Sequence, residues 1–297
     1  MSACGRYGVS VIAFVGSVFS PYYAWRGRRD PDDHVCINVA LYAPGRNRWT
    51  MTERGRGAMS RDATHFRVGP SQLTWNDGRL SIDFDEIAVP RPPRQWLPQR
   101  VAGRIVLTPH AITDRAFPID AEGHQRWWPI APSGDIAVSF SRGGMPDWSG
   151  HGYLDSNWGE IGLEDSFAHW DWARGELENG ESVILYDTER RDGSRGFLVL
   201  HFGRDGTITE RDELPHTALK SGFWGVARGA HADPGHAPVL VETLEDGPFY
   251  LRQTVDTVLF GQKVRLMHES FSGLRFGNPL VKAMLPFRMP RRARYGS

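Results

Sequence analysis

Lysine is almost missing from this chain. Lys220, Lys263 and Lys282 are the only three, which leaves 32 arginines among 35 basic residues. Acidic residues also number 35, so the net charge is zero. That excludes the diffuse cationic field on which non-specific nucleic-acid binding depends, and no nucleic-acid partner is expected. Cysteine is scarce too: Cys4 and Cys36 form neither a disulfide framework nor a zinc set, and reduced thiols in a cytoplasm are expected. The longest apolar run, Val9 to Phe19, contains Ser10, Gly16 and Ser17 and is about half a bilayer span. It is expected to form a buried strand, not a membrane helix. No charged leader with an apolar stretch and a small-residue cleavage site opens the chain, so export is not expected. HxH, HExxH and CxxC patterns are missing, as are a GxSxG elbow and a strand-to-helix phosphate cradle. No metal or nucleotide cofactor is expected. His231 and His236 fall in a Gly/Ala/Pro stretch and read as solvated surface residues.

What the chain does contain is alternation. With 40% hydrophobic and 24% charged residues it is globular, and 297 residues suffice for one large β domain or two ordinary ones. Leu80 to Asp85 alternates strictly between apolar and polar residues, as do Ile136, Val138 and Phe140 with their neighbours. Phe197 to Phe202 is apolar enough for burial on both faces. Asn76-Asp77-Gly78, Asn179-Gly180, Asp192-Gly193, Asp205-Gly206 and Asp246-Gly247 supply the positive φ of tight hairpins. Helical signals reduce to a short stretch from Pro279 to Met289, limited by Pro286. Pro90 to Pro93 and Pro129 to Pro132 read as rigid connectors. The expected fold is all-β, with antiparallel meanders closing into barrels or sandwiches. A division is placed near Asp165, giving domains 1–165 and 166–297.

Tryptophan is abundant, with 11 residues, and six of them crowd the middle: Trp127, Trp128, Trp148, Trp158, Trp170 and Trp172. Such rings fill a core, line an apolar pocket or stabilise a cation. The densest chemistry lies between Asp147 and Glu160. If Gly152 to Asp155 is extended, Tyr153 and Asp155 point to one face and Leu154 to the other. A carboxyl among Tyr153, Trp158 and Trp148 is then desolvated and held protonated, the property a general acid needs. The alternative is a local Asx turn at Asp155-Ser156-Asn157. In a strand, Trp127 and Trp128 face opposite ways, so at most one lines a given pocket. In His169-Trp170-Asp171-Trp172 the two tryptophans share one face, and a structural role is favoured for them.

Several longer motifs resemble one family. Phe14 to Trp25 (FVGSVFSPYYAW), Asn38 to Tyr42 (NVALY), Arg48 to Arg54 (RWTMTER), Arg126 to Pro129 (RWWP) and Gly152 to Gly159 (GYLDSNWG) occur in the order found in bacterial carotenoid 1,2-hydratases, also called hydroxyneurosporene synthases. The resemblance runs from about Gly8 to about Pro286. It implies two lipocalin-like (calycin-type) β domains with an apolar site at or near their junction. It also implies cofactor-independent addition of water across the terminal C1–C2 double bond of an acyclic carotene such as neurosporene or lycopene. By this analogy Asp155 is the acid, Tyr153 steadies it, and His124 or His151 relays the proton. Trp127 or Trp128 faces the developing cation, and Trp148 and Trp158 complete the substrate-binding set. An insoluble substrate further implies a cytoplasmic protein in peripheral contact with the lipid of the inner, photosynthetic membrane. The basic tail from Lys282 to Arg294 is a candidate for that contact. An apolar-ligand carrier of lipocalin type, or a pericyclase of the same superfamily, are the competing readings.

Overall fold

The computed structural model describes residues 1–92 and 95–292. Antiparallel β structure dominates, in one sheet of 13 strands and one of seven, with a separate two-stranded pair. Two compact units can be distinguished. The first comprises Met1–Pro109, Gly134–Gly152 and the chain from Lys282, and the second His110–Ser133 and Tyr153–Val281.

In the first unit the strands run β1 (Gly8–Val15), β2 (Val35–Tyr42), β3 (Arg48–Thr50), β4 (Glu53–Arg54), β5 (Met59–Arg61), β6 (His65–Val68), β7 (Ser71–Asn76), β8 (Arg79–Ala88) and β9 (Gln99–Pro109). Strand β2 is buried along its whole length, with β1, β3 and β4 as neighbours. Strand β1 pairs with β2 from Gly8↔Tyr42 to Val15↔Val35. The apolar run beginning at Val9 is therefore a strand only as far as Val15, where Gly16 turns the chain at φ +66°. It is also half-buried instead of fully buried. The alternation in Leu80 to Asp85 appears in β8 as strict in–out burial. Asp77 and Gly78 make the β7–β8 hairpin with both φ values positive, the geometry that matches strand twist.

Strands β10 (Phe117–Pro118), β11 (Gln125–Arg142) and β12 (Trp148–Gly159) follow. Strand β11 enters the first unit after Ser133, and β12 leaves it after Gly152. A single cut near residue 165 gives a different partition, because the units interleave along the chain and long strands, not a polar linker, carry the crossing. Pro129 to Pro132 lies inside β11 and is not a connector between strands. The carbonyls of both prolines still accept, from Thr113 Oγ1 at 2.7 Å and from Arg174 Nη2 at 3.0 Å.

The second unit continues with β13 (Phe167–Glu176), β14 (Ser182–Arg190), β15 (Arg195–Phe202), β16 (Ile208–Arg211), β17 (His216–Ala218), β18 (Gly229–His231), β19 (Val239–Asp246), β20 (Tyr250–Leu259) and β21 (Gln262–Ser272). Its sheet has the order β16-β15-β14-β13-β21-β20-β19. Ala173, Leu185, Val199, Val255 and Leu266 belong to the apolar core on one face. In β15, Val199, Leu200 and Phe202 are buried, whereas Phe197, Leu198 and His201 are only half-buried. His231 is not a surface residue: it is buried in β18, with Nδ1 at 2.9 Å from the Leu214 carbonyl. The chain ends in the expected short helix, Pro279–Met284, then a 3-10 turn, Leu285–Phe287. Strand β22 (Arg291–Arg292) pairs in parallel with β4.

Candidate active site

The Asx-turn alternative is excluded by β12, which stays extended through Gly159. Alternation then places Tyr153, Asp155 and Asn157 on one face. Strand β11 is the neighbour of β12 and supplies Trp127, which is fully buried. The Trp127 indole N–H reaches Asp155 Oδ2 and the Tyr153 hydroxyl oxygen, both at 3.0 Å. Asn157 Nδ2 donates to the same Asp155 Oδ2 at 3.1 Å. Two nitrogen donors therefore converge on one carboxyl oxygen. When Asp155 is neutral, its proton is best placed on Oδ1, since Oδ2 already faces two N–H groups.

Asp155 and Tyr153 both lie deep in the protein, and each keeps part of its surface accessible. Burial raises the Asp155 pKa to about 6. Hydrogen bonds from Trp127, Tyr153 and Asn157 oppose that rise, and the negative charge of Glu269 adds to it. Burial and the neighbouring Asp155 charge push the Tyr153 hydroxyl well above its ordinary value, so it stays protonated and can donate.

Aromatic rings surround these groups. Trp172 lies 5.5 Å from the Tyr153 ring and Tyr186 lies 5.6 Å from Trp127. Trp170 packs 5.9 Å from Tyr186 and stacks on Phe271 at 5.4 Å. The expectation that Trp170 and Trp172 share a face holds, but that face forms the aromatic wall beside Tyr153 and Trp127. His169 and Asp171 take the other face, joined at 3.0 Å. Glu269 stands opposite Trp172 in the β13–β21 register, and its Oε1 accepts from Arg252 Nε and Nη2 at 2.8 and 2.7 Å. Asn157, Trp170, Trp172, Tyr186 and Glu269 are thus site residues that sequence reasoning missed. Parity with Tyr153 and Asp155 was the available signal for Asn157. The others come from distant strands.

Several expected site residues lie elsewhere. Trp128 points the opposite way to Trp127 and donates its indole N–H to the Thr113 carbonyl at 2.9 Å. Trp148 and Trp158 occupy the alternate positions of β12 from Asp155, and Trp158 is 47% exposed. Neither shares the carboxyl's face. The hydrogen bonds to Asp155 come from Trp127, Tyr153 and Asn157. His151 is exposed, and its backbone bonds to Met1. His124 sits in the turn before β11, with Nδ1 at 3.9 Å from Asp120 Oδ2. Asp120, Glu122 and His124 bring one donor atom each within 4.8 Å of one another, a spacing that can hold a cation.

The arrangement is a largely neutral carboxylic acid below pH 6, fixed through one oxygen in an aromatic setting. It suits proton delivery to a weakly basic, apolar partner. The family model described as carotenoid hydratase CrtC matches residues 11–297. An acyclic carotenoid 1,2-hydratase from Thiocapsa roseopersicina is 45% identical over 295 residues, covering 98% of this chain and 71% of that protein. One from Cereibacter sphaeroides is 43% identical over 282 residues, covering 95% of this chain and 98% of that protein. Among solved structures, an AttH protein from Nitrosomonas europaea is similar in fold, with a TM-score of 0.59 at 14% identity, over 92% of this chain and 88% of that one. With a family model spanning nearly the whole chain and relatives this similar, the protein belongs to the carotenoid hydratase CrtC family.

Proposed function

We propose that the protein is an acyclic carotenoid 1,2-hydratase in which Asp155 is the proton donor. The relatives that carry this activity in their names support the reaction. The observation that carries the residue assignment is the carboxyl itself: deep, ringed by aromatics, and bonded by nitrogen donors through Oδ2, with Oδ1 left for the proton.

The chemistry follows from what an alkene needs. The proton on Asp155 Oδ1 passes to C2 as the π electrons of the C1–C2 double bond form the new C–H bond. A tertiary cation remains at C1. Ring faces in the wall, Tyr153 and Trp172 foremost, stabilise it by about 0.5–2 kcal/mol per contact. Water then bonds to C1 through oxygen, and the proton it sheds returns to the Asp155 carboxylate. The sum is addition of one water, and Asp155 ends as it began. The Trp127 and Asn157 donors stabilise the carboxylate while it exists, and the Tyr153 hydroxyl joins them. The hydrogen bonds to Asp155 come from Trp127, Tyr153 and Asn157, so this scheme returns the proton directly instead of through a relay by His124 or His151.

We read the two sheets as lipocalin-like barrels, a reading supported by their antiparallel order and hairpin connections. A cytoplasmic protein fits the two free thiols. The test is turnover of neurosporene or lycopene in D₂O. Deuterium is expected at C2 and the hydroxyl at C1, with Asp155→Asn abolishing product while pigment still binds. Deuterium at another carbon, or full activity in Asp155→Asn, would refute the assignment.

A further inference from the structure

We propose that the C-terminal helix–turn segment docks on an anionic bilayer surface through an apolar ridge of Leu280, Met284 and Phe287. This rests on the hydratase reading, because a long hydrocarbon substrate resides in lipid.

The spacing 280, 284 and 287 places three large apolar side chains along one helical face. They are 77%, 42% and 85% exposed. They do not belong to a fraying end. Leu285, on another face of the same turn, is buried, and so is Met289, which packs with Cys36 and Met51. Arg291 then pairs with Glu53 and, at 2.8 Å, with Asp33. A ridge exposed on an anchored segment keeps its side chains in water at a cost unless something covers it.

Charge selects the occupant. From Ser270 to the C-terminus the sequence has no Asp or Glu, while Arg275, Lys282, Arg288, Arg291, Arg292 and Arg294 are basic. The chain as a whole is neutral. An acid-free segment in which Lys282 and Arg288 flank an apolar ridge in sequence is the pattern of an interfacial helix on acidic lipid, where each basic residue near the surface contributes about 1 kcal/mol. A second copy of this chain would set the same cationic segment against itself if the ridge formed a symmetric contact.

Co-sedimentation of the full chain with phosphatidylglycerol-containing and pure phosphatidylcholine vesicles, without pigment, tests this. Wild type is expected to favour the anionic vesicles and to release as salt rises. The triple variant Leu280→Ser, Met284→Ser, Phe287→Ser is expected to lose at least about tenfold in vesicle affinity, and Lys282→Glu to lose less. Turnover of detergent-dispersed lycopene, measured in parallel, is expected to match wild type in the triple variant and shows that it folds. Equal vesicle binding by the triple variant and wild type would overturn the proposal, as would wild type remaining in solution with both vesicles. A lipid-free dimer of wild type that the triple variant breaks would assign the ridge to a second copy and also overturn it. If both proteins lack turnover but the variant still loses vesicle binding, the hydratase reading falls and the docking face stands.

Discussion

If Asp155 must be protonated to act, kcat/KM falls as pH rises through its pKa. With that value at about 6, half the enzyme is competent at pH 6, about one-tenth at pH 7 and about one-hundredth at pH 8. The neighbours of Asp155 push this limb in opposite directions. Trp127→Phe removes a donor that favours the charged form. A hydrogen bond to an ionised oxygen is worth about 1.5–3 kcal/mol, roughly twice its value to a neutral one. The difference corresponds to about one pKa unit at 1.36 kcal/mol per unit. The limb of Trp127→Phe should therefore move up by about one pH unit, and that of Asn157→Leu by somewhat less. Glu269→Gln removes a like charge that disfavours ionisation, so its limb should move down. The assay is initial hydration rate against pH with detergent-dispersed lycopene at subsaturating concentration, which reports the free enzyme. Absolute rates will drop in all three variants, so the position of the limb, and not its height, is the readout. Shifts of the same sign in Trp127→Phe and Glu269→Gln would refute the assignment of the titrating group, and so would a rate that climbs with pH.

The same carboxyl sets a stability difference. Its folded pKa lies above the ordinary value of 3.8, so ionisation penalises the folded state, beginning above that value and becoming complete above about pH 6. Asp155→Asn should have the higher Tm at pH 8, by up to about 3 kcal/mol in stability, with the gain shrinking as pH falls from 6 towards 4. Calorimetry at the two ends checks this. In the first unit, Glu86→Gln should cost about 3–5 kcal/mol, read as a lower urea midpoint. It strips the buried Arg54 of its partner at 2.7 Å and weakens the Ser71 bond to the other oxygen. The two thiols should separate chemically. A hydrogen bond from Ser2, with help from Arg6, lowers exposed Cys4 to about 7, while burial raises Cys36. Iodoacetamide at neutral pH should modify Cys4 alone, as peptide mapping would show.

What could be seen in the sequence was what local geometry decides. Period-2 alternation gave β8 and the second half of β11. Asp-Gly and Asn-Gly pairs marked the hairpins that β7–β8, β13–β14 and β14–β15 make. Parity alone put Tyr153 with Asp155, and Trp170 with Trp172. Pro129 to Pro132 misled because proline argues locally against a strand, whereas pairing to neighbours carried β11 straight through it. The wall around the carboxyl depends on register between strands far apart in the chain. Glu269 is opposite Trp172, and Trp172 is opposite Tyr186, only because β21 and β14 flank β13. No spacing along the sequence encodes that adjacency.

The choice among the tryptophans shows how little long-range information was missing. Strands β11 and β12 are neighbours and both alternate. Once the Trp127 indole is known to meet Asp155, faces follow for the rest of both strands near that contact. Trp128 must point away, as its bond to Thr113 shows. Trp148 and Trp158 are separated from Asp155 by odd numbers of residues and fall on the other face of β12. Asn157 is separated by two and falls on the same face, where it reaches the oxygen that Trp127 already holds. A single cross-strand contact therefore sends Trp128, Trp148 and Trp158 away from the carboxyl and brings Asn157 onto its face. It also explains why aromatic abundance was a weaker guide than parity: tryptophans crowd both faces of these strands, but the acid lies on one.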